Sequence, residues 1–268
     1  MLLIHIGFFR TASTFLQKRV FPIIDDSFNF EHNLRLILDN LVYANSLTFN
    51  QKKTIPIFKE YLSNKKIKIL SYECLSGHPY SGGINQNEIL QRLKVMFPNS
   101  SILIIFREQR DHIKSIYKKY IREGGKKKID YFLNKKQSIH NISFKKRYLN
   151  YYDIISKYKE KFGNDKVLAL PFELLKYEPI NFVSQITDFL DIKINIQKIK
   201  FEKLNESSKF GFFEIERLIN KIHARDPILD LSKNNNKNFK YYNMIKYVIN
   251  SVIPNLILKK TELRLEQK

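Results

Sequence analysis

The sequence predicts an α/β protein of three layers, with a central parallel β-sheet between layers of helices. Four short runs, 2–8, 66–72, 101–106 and 166–172, are apolar along nearly their whole length, as strands covered on both faces must be. Stretches of helical spacing separate them, and the alternation β, α, β, α, β, α, β is that of parallel strands joined by crossover helices. With 43% hydrophobic and 13% aromatic residues, and only 8 Gly and 8 Pro in 268 residues, the chain is neither low in complexity nor disordered.

LLIHIGF, residues 2–8, is the first strand and ends in a polar turn; TFLQKRVFP beyond it is helical and is stopped by Pro22. Helices over about 31–45 and 51–63 precede the second strand, KIKILSY at 66–72. QNEILQRLKVMF, residues 86–97, places most of its apolar residues at helical spacing and is closed by Pro98. SILIIF at 101–106 is the third strand, 109–121 is helical, and Gly124, Gly125 and three lysines mark an exposed loop. A long helix fills 144–162, with Gly163 as a left-handed C-terminal cap, before the fourth strand, KVLALPF at 166–172. The helix over 179–190 carries Pro179 in its first turn, where a missing amide is tolerated. From 193 the pattern weakens. NNNK at 234–237 reads as a surface loop, and 244–260 as an apolar, basic-flanked helix interrupted by Pro254 that packs on the core or lies against a membrane surface. The expected organisation is one domain over 1–268 with a helical extension from about 211 to 268.

Forty-seven basic against 26 acidic residues give a formal charge of +21, a field that attracts nucleotides, acidic glycans, nucleic acid or an anionic membrane. Charge alone does not choose among them, nor between a dedicated site and a generally solvated basic surface. Cys74 is the only cysteine, so no intrachain disulfide forms and a cytoplasmic location is expected. The apolar start MLLIHIGFF lacks a basic leader and reads as a strand, and no stretch reaches the roughly 20 apolar residues of a spanning helix.

The strongest motif is HIGFFRTASTFLQ, residues 5–17. A strand that ends in a loop of small hydroxyl residues and then opens a helix gathers backbone amides and the positive helix end around one point, where a phosphate can sit. Thr11, Ser13 and Thr14 add hydroxyls, and Arg10 adds a permanent charge with a fork suited to phosphate. A nucleotide triphosphatase loop starting at Gly7 would need Gly at Ala12 and Lys at Ser13, and both are absent.

The segment resembles the 5′-phosphosulfate loop of sulfotransferases that use 3′-phosphoadenosine 5′-phosphosulfate (PAPS), whose bacterial members show HIGFHKTGTT-x-LQ. The family's Lys falls on Arg10, its Gly on Ala12, its Thr pair on Ser13 and Thr14, and its following aromatic on Phe15. ILIIFREQRDHIKSIY, residues 102–117, resembles the family's 3′-phosphate motif, R-x-x-x-D-x-x-x-S-x-Y, with Arg107, Asp111, Ser115 and Tyr117 in register. A phosphate beside a sheet's carboxyl edge needs a charged donor from the strand end and a hydroxyl from the adjoining helix. YECLSG, residues 72–77, is similar to a third family segment and makes Glu73 the candidate base that takes the acceptor's proton; alternatively Glu73 pairs with Arg10. His78 is the competing base, and His5, inside the first strand, reads as a buried structural histidine. LPFELLKYEPINFVSQITDFLDI at 170–192 resembles the family's LPYE-x-L-x-x-x-P and FL-x-[IL] segment with Phe172 in place of Tyr near the adenine, and NESS at 205–208 resembles a downstream N-x-S segment.

The resemblance implies the P-loop-like sulfotransferase fold, PAPS as co-substrate, no metal, and sulfuryl transfer to a hydroxyl or amine. The expected acceptor is a glycan or glycolipid, the basic loop 126–128 being compatible with an acidic one, and nucleic acid is not an expected partner. Peripheral membrane contact would run through 244–260. The rivals are a P-loop-like nucleotide kinase and a non-catalytic basic module binding nucleic acid or membrane. Two departures bear on mechanism. Arg10 in place of Lys stabilises charge but does not readily donate a proton, and Ala12 in place of Gly is expected to keep the loop out of the left-handed region at that position.

Overall fold

The computed structural model describes residues 1–62, 67–134, 144–201 and 212–223. The expected NESS segment, the loop 234–237 and the helix 244–260 lie outside them. The chain divides into two compact units, one of Met1–Ile113 with Phe144–Leu204 and one of Lys114–Ser143 with Asn205–Lys268.

The first unit holds the sheet. Strands β1 (Leu2–His5), β2 (Lys68–Ser71), β3 (Ser101–Phe106) and β4 (Val167–Pro171) are all parallel, in the order β2-β1-β3-β4. The chain builds β2 on one side of β1 and then crosses to build β3 on the other, so successive connections leave in opposite directions between β1 and β3. At such a switch point the loops beyond the carboxyl ends diverge and open a crevice. Side chains alternate across the sheet, and both alternations are buried: Leu3, Ile69, Leu103 and Ile105 on one face, Ile4, Leu70, Ile102 and Ile104 on the other. That double burial explains why the strands read as continuous apolar runs.

The strands are shorter than the apolar runs at their carboxyl ends. After His5 the chain still follows β3, with the Ile6 amide bonded to Leu103 and the Phe8 amide to Ile105, while the β2 side turns away into a 3-10 turn over Glu73–Ser76. The helices that follow β1 are α1 (Ser13–Phe15) and α2 (Phe21–Ile24), joined by a π turn over Leu16–Val20. Pro22 does not stop this run as expected: after the π turn it occupies the first turn of α2, where its missing amide is no loss. Helix α3 (Phe30–Ile37) passes into a second π turn over Leu38–Val42, and α4 (Gln51–Leu62) and α5 (Gln86–Met96) follow.

Helix α6 (Gln109–Arg122) begins where the Glu108 carboxylate accepts the amides of Arg110 and Asp111, which holds that carboxyl below its usual range. Helix α7 (Ile129–Asn134) belongs to the second unit. The expected long helix over 144–162 is instead a 3-10 turn at Lys146–Leu149 followed by α8 (Tyr151–Phe162), broken where Tyr148 and Leu149 turn into the core. Gly163 takes φ 105 and ψ 149, a glycine conformation but not the left-handed helical one expected. After β4 come α9 (Phe172–Tyr177) and α10 (Pro179–Phe189), the latter with Pro179 in its first turn as expected. One core cluster joins Leu3, Ile69, Leu103 and Ile105 to Phe15, Leu16, Val20 and Phe21 and to Phe182, Val183 and Ile186 of α10.

In the second unit, α11 (Phe212–His223) closes on the loop 124–127. The Asn220 side-chain amide donates to the carbonyls of Ile121 and Gly125, at 2.7 and 2.9 Å, and Arg217 donates to the Lys126 carbonyl at 3.3 Å. The amides of Lys126 and Lys127 both donate to the Tyr120 hydroxyl, while Tyr117 donates to the Lys127 carbonyl.

Candidate functional site

The carboxyl ends of β1 and β3, paired strands of the first unit, carry the loop from Arg10 and the Arg107 strand end. Beyond β1 the loop passes through Arg10 at φ 69 and Ala12 at φ 67, both left-handed and neither a glycine. The expectation that Ala12 avoids this conformation is therefore corrected. Such a residue costs on the order of 1 kcal/mol, held by the structure around it. The Thr11 hydroxyl donates to the Phe8 carbonyl across the turn, and Thr11 is fully buried, so its side chain braces the loop from within. Ser13, Thr14 and Phe15 then head the helical run, with amides that have no carbonyl inside the helix to accept them. The Phe15 ring stacks on Phe201 in the core, so what this residue offers the loop is its amide.

Among the described residues, four buried polar atoms at or just beyond the strand ends have no hydrogen-bond partner: His5 Nε2, Ser13 Oγ, Arg107 Nε and Glu73 Oε2. Burying an unpaired polar atom costs about 1–3 kcal/mol, and a group of them at one edge of a sheet is the pattern expected where a polar ligand completes the bonding. Arg107 leaves the end of β3 with its guanidinium 4.7 Å from the centre of the Phe172 ring. The planar cation stacks on the aromatic face and so is held at the carboxyl edge. Glu173, beside Phe172 in the LPFE segment, accepts the Glu108 amide at 3.1 Å and ties the exit of β3 to the start of α9. Ser115 lies half-buried on α6, in the part of that helix assigned to the second unit.

Glu73 opens the 3-10 turn after β2 and is half-buried. Ser76, at the end of that turn, sits 3.0 Å from the Gly7 carbonyl, 2.9 Å from the Glu73 carbonyl and 3.3 Å from the Tyr148 hydroxyl. The Glu73 turn is thus attached to the loop after β1. His78 is half-buried, its Nδ1 accepting the Tyr80 amide at 3.3 Å and its ring packed near Phe9 and Tyr80. His5 is fully buried with Nδ1 2.8 Å from Ser71 Oγ, and burial lowers its pKa to about 3. It is neutral and structural in its surroundings.

Sequence reasoning missed the groups that brace this edge. His112 is fully buried on α6 between Phe9 and Tyr151: Nε2 meets the Phe9 carbonyl and Nδ1 lies 2.6 Å from the Tyr151 hydroxyl. Burial lowers its pKa to about 4, opposed by the bond to Phe9 and assisted by the charges of Arg107 and Arg10. Tyr148, fully buried, accepts the Phe9 amide at 3.2 Å. Its hydroxyl pKa is pushed up by burial, so it stays protonated. These partners stand 39 to 139 residues from the atoms they hold, a separation over which no local motif speaks. The one available signal was the aromatic density of FKKRYLNYY at 144–152.

Among the described residues no group of His, Cys, Asp or Glu is arranged to hold a metal ion, and no helix is long and apolar enough to cross a membrane.

Residues 84–195 match a profile described as "Sulfotransferase family". No curated protein matches the sequence. Among solved structures, a sulfotransferase from Alicyclobacillus acidocaldarius superposes with a TM-score of 0.51 at 16% identity, over 83% of this chain and 96% of that one, a likeness that establishes the fold. A sulfotransferase domain from the curacin biosynthetic pathway has a TM-score of 0.44 at 12% identity over 76% and 78% of the two chains. A mouse sulfotransferase complexed with PAP has 0.39 at 13% over 88% and 68%. Residues 84–195 are thus similar to the sulfotransferase family, and the chain has the fold of the Alicyclobacillus sulfotransferase.

Proposed function

We propose that this enzyme transfers the sulfuryl group of PAPS to a hydroxyl or amine of a glycan or glycolipid acceptor by in-line displacement. The observation that carries this reading is the convergence of the loop after β1 and Arg107 after β3 at one switch point, with Ser13 Oγ and Arg107 Nε buried there and unpartnered. Two anionic groups on one nucleoside would supply what both atoms lack.

In this reading Arg10, the amides of residues 11–15 and the Ser13 and Thr14 hydroxyls hold the 5′-phosphosulfate. Arg107 holds the 3′-phosphate, Ser115 keeps the role that the motif implies, and Phe172, packed against Arg107, borders the adenine. The acceptor oxygen attacks sulfur as the bond from sulfur to the bridging phosphate oxygen breaks, and the electron pair leaves with the phosphate. Arg10 and the loop amides stabilise that charge without giving up a proton. Glu73 takes the acceptor's proton; its buried, unpartnered Oε2 supports that role. For His78 to act instead, Nε2 would have to serve, because Nδ1 accepts the Tyr80 amide. The acceptor class rests on the family resemblance and on the basic residues 126–128, and a single cysteine suits a reducing cytoplasm.

Thermal denaturation with adenosine 3′,5′-bisphosphate (PAP) or with ATP and Mg²⁺ tests the proposal. PAP is expected to raise Tm strongly and ATP with Mg²⁺ weakly. The reverse order would favour a nucleotide kinase, and no shift with either a non-nucleotide module.

A further inference from the structure

We propose that the acceptor is an amphiphile, a hydroxyl compound joined to an apolar alkyl or aryl tail, and that Tyr43, Leu47 and Ile84 form the surface on which the tail lies. This rests on the reading of the Glu73 turn as the acceptor's end of the site, and it narrows the acceptor class given there.

Three apolar side chains stand out in water in the first unit: Leu47 is 96% exposed, Tyr43 72% and Ile84 58%. Single exposed apolar residues need no explanation, but the backbone that carries these is pinned from beneath. Arg92 of α5 is buried, and it donates to the Leu41 carbonyl at 2.5 Å and the Ala44 carbonyl at 2.8 Å, which brackets Tyr43. Its guanidinium lies 4.8 Å from the centre of the Phe49 ring. Asn45 closes the loop between them: its side chain accepts the Leu47 amide at 2.9 Å, and its carbonyl accepts the amides of Thr48 and Phe49. Glu88, in the first turn of α5, accepts from both Arg92 and the Ser46 hydroxyl, and Ile84 stands just before that helix begins. Taking an arginine out of water is costly, and what this one secures is a loop whose exposed Tyr43 and Leu47 add little to the core. Such a loop is held ready to display them.

The same end of α5 reaches the candidate base. Gln86, also in its first turn, donates to the Ser76 carbonyl at 2.8 Å, at the close of the turn that Glu73 opens. Gly77 and Gly83 lie so close to the Gln86 side chain that a Cβ on either would come within 2.7 Å of it. One turn of helix therefore holds the apolar display through Glu88 and the Glu73 turn through Gln86. An acceptor whose hydroxyl faces Glu73 can lay its tail over this corner. The tail is apolar because the three displayed side chains carry no charge, and the charges of Arg92 and Glu88 are joined to each other.

Octyl β-glucoside below its micelle concentration and methyl β-glucoside are the probes, with binding to the PAP-loaded full chain read by saturation-transfer NMR of the ligand. The octyl glycoside is expected to bind at least tenfold tighter, the effect of burying about two methylene groups. Leu47→Ser, Tyr43→Ser and Ile84→Ser should each lower that preference about threefold or more, with Tm and PAP affinity unchanged because all three side chains are exposed. Equal binding of the two glycosides, or a preference that survives all three substitutions, overturns the inference and leaves the function standing. Light scattering on the same samples covers a rival occupant: a dimer that Leu47→Ser dissociates would assign the surface to a second copy of the chain and overturn the inference. Calorimetry with PAP and adenosine 5′-phosphate (AMP) tests the reading beneath it, and a wild type that does not prefer PAP removes both the function and this inference.

Discussion

Two loops of this protein turn sharply after a regular element and carry cationic side chains, yet they are built on opposite principles. In the loop 124–127 of the second unit the left-handed position is a glycine, Gly124 at φ 107. Its polar groups are satisfied internally: the Gly124 and Gly125 amides bond back to Ile121 and Tyr120, the next two amides to the Tyr120 hydroxyl, and carbonyls accept from Asn220, Arg217 and Tyr117. The loop after β1 instead forces Arg10 and Ala12 to positive φ and heads a helical run whose first hydroxyl, Ser13 Oγ, is buried without a partner. A satisfied loop with lysines on its surface is a folded feature with a solvated charge. A strained loop with unmet polar groups is stable only because its surroundings hold it, and it gains when a ligand arrives. The three lysines carry more charge, but in the function proposed above it is the loop after β1, with its buried and unpartnered hydroxyl, that takes the anion.

The largest effect is expected at Arg107. Arg107→Ala should weaken PAP binding by about 2–4 kcal/mol, the range for losing one partner of a desolvated charge contact, with AMP little affected. Calorimetry reads both. Glu73→Gln keeps shape and removes basicity, so PAP affinity should hold while sulfuryl transfer, or slow PAPS hydrolysis in its place, falls roughly a hundredfold. Loss of PAP binding in that variant would make Glu73 a brace of the loop. On the other side of the comparison, Asn220→Ala removes the donor to two buried carbonyls of the satisfied loop, and should cost about 1–3 kcal/mol in denaturant unfolding with PAP affinity unchanged. The smallest effect is expected at Ala12, where glycine relieves the left-handed strain. Ala12→Gly should stabilise the fold by no more than about 1 kcal/mol, and a destabilised variant would show that the methyl group is needed for packing.

What could be read from the sequence follows from the range of the interactions. The third strand is found at 101–106 as expected, because a strand buried on both faces leaves a continuous apolar run that needs no partner to be recognised. Arg107 and Ser13 were placed by their position after such strands. Pro22 misled because a π turn, invisible in composition, made room for it. The break at Asn150 escaped notice because Tyr148 leaves the helical path to meet Phe9 and Ser76, partners in two other segments. His112 looked like one more residue in a helix; only the fold shows that its two nitrogens reach Phe9 and Tyr151. The left-handed turn at Ala12 went against local preference, as backbone at a binding loop does when tertiary contacts override it.

In the function proposed above, the carboxyl edge between β1 and β3 is completed by a nucleoside carrying phosphate at both its 3′ and 5′ positions. Side-by-side calorimetry of PAP and AMP on the unmodified protein tests it most directly. PAP is expected to bind tighter by tenfold or more, on the order of the 1.4 kcal/mol or greater that one further charge-assisted contact contributes. Equal affinities for the two nucleotides would contradict it, because Arg107 would then have no phosphate to hold.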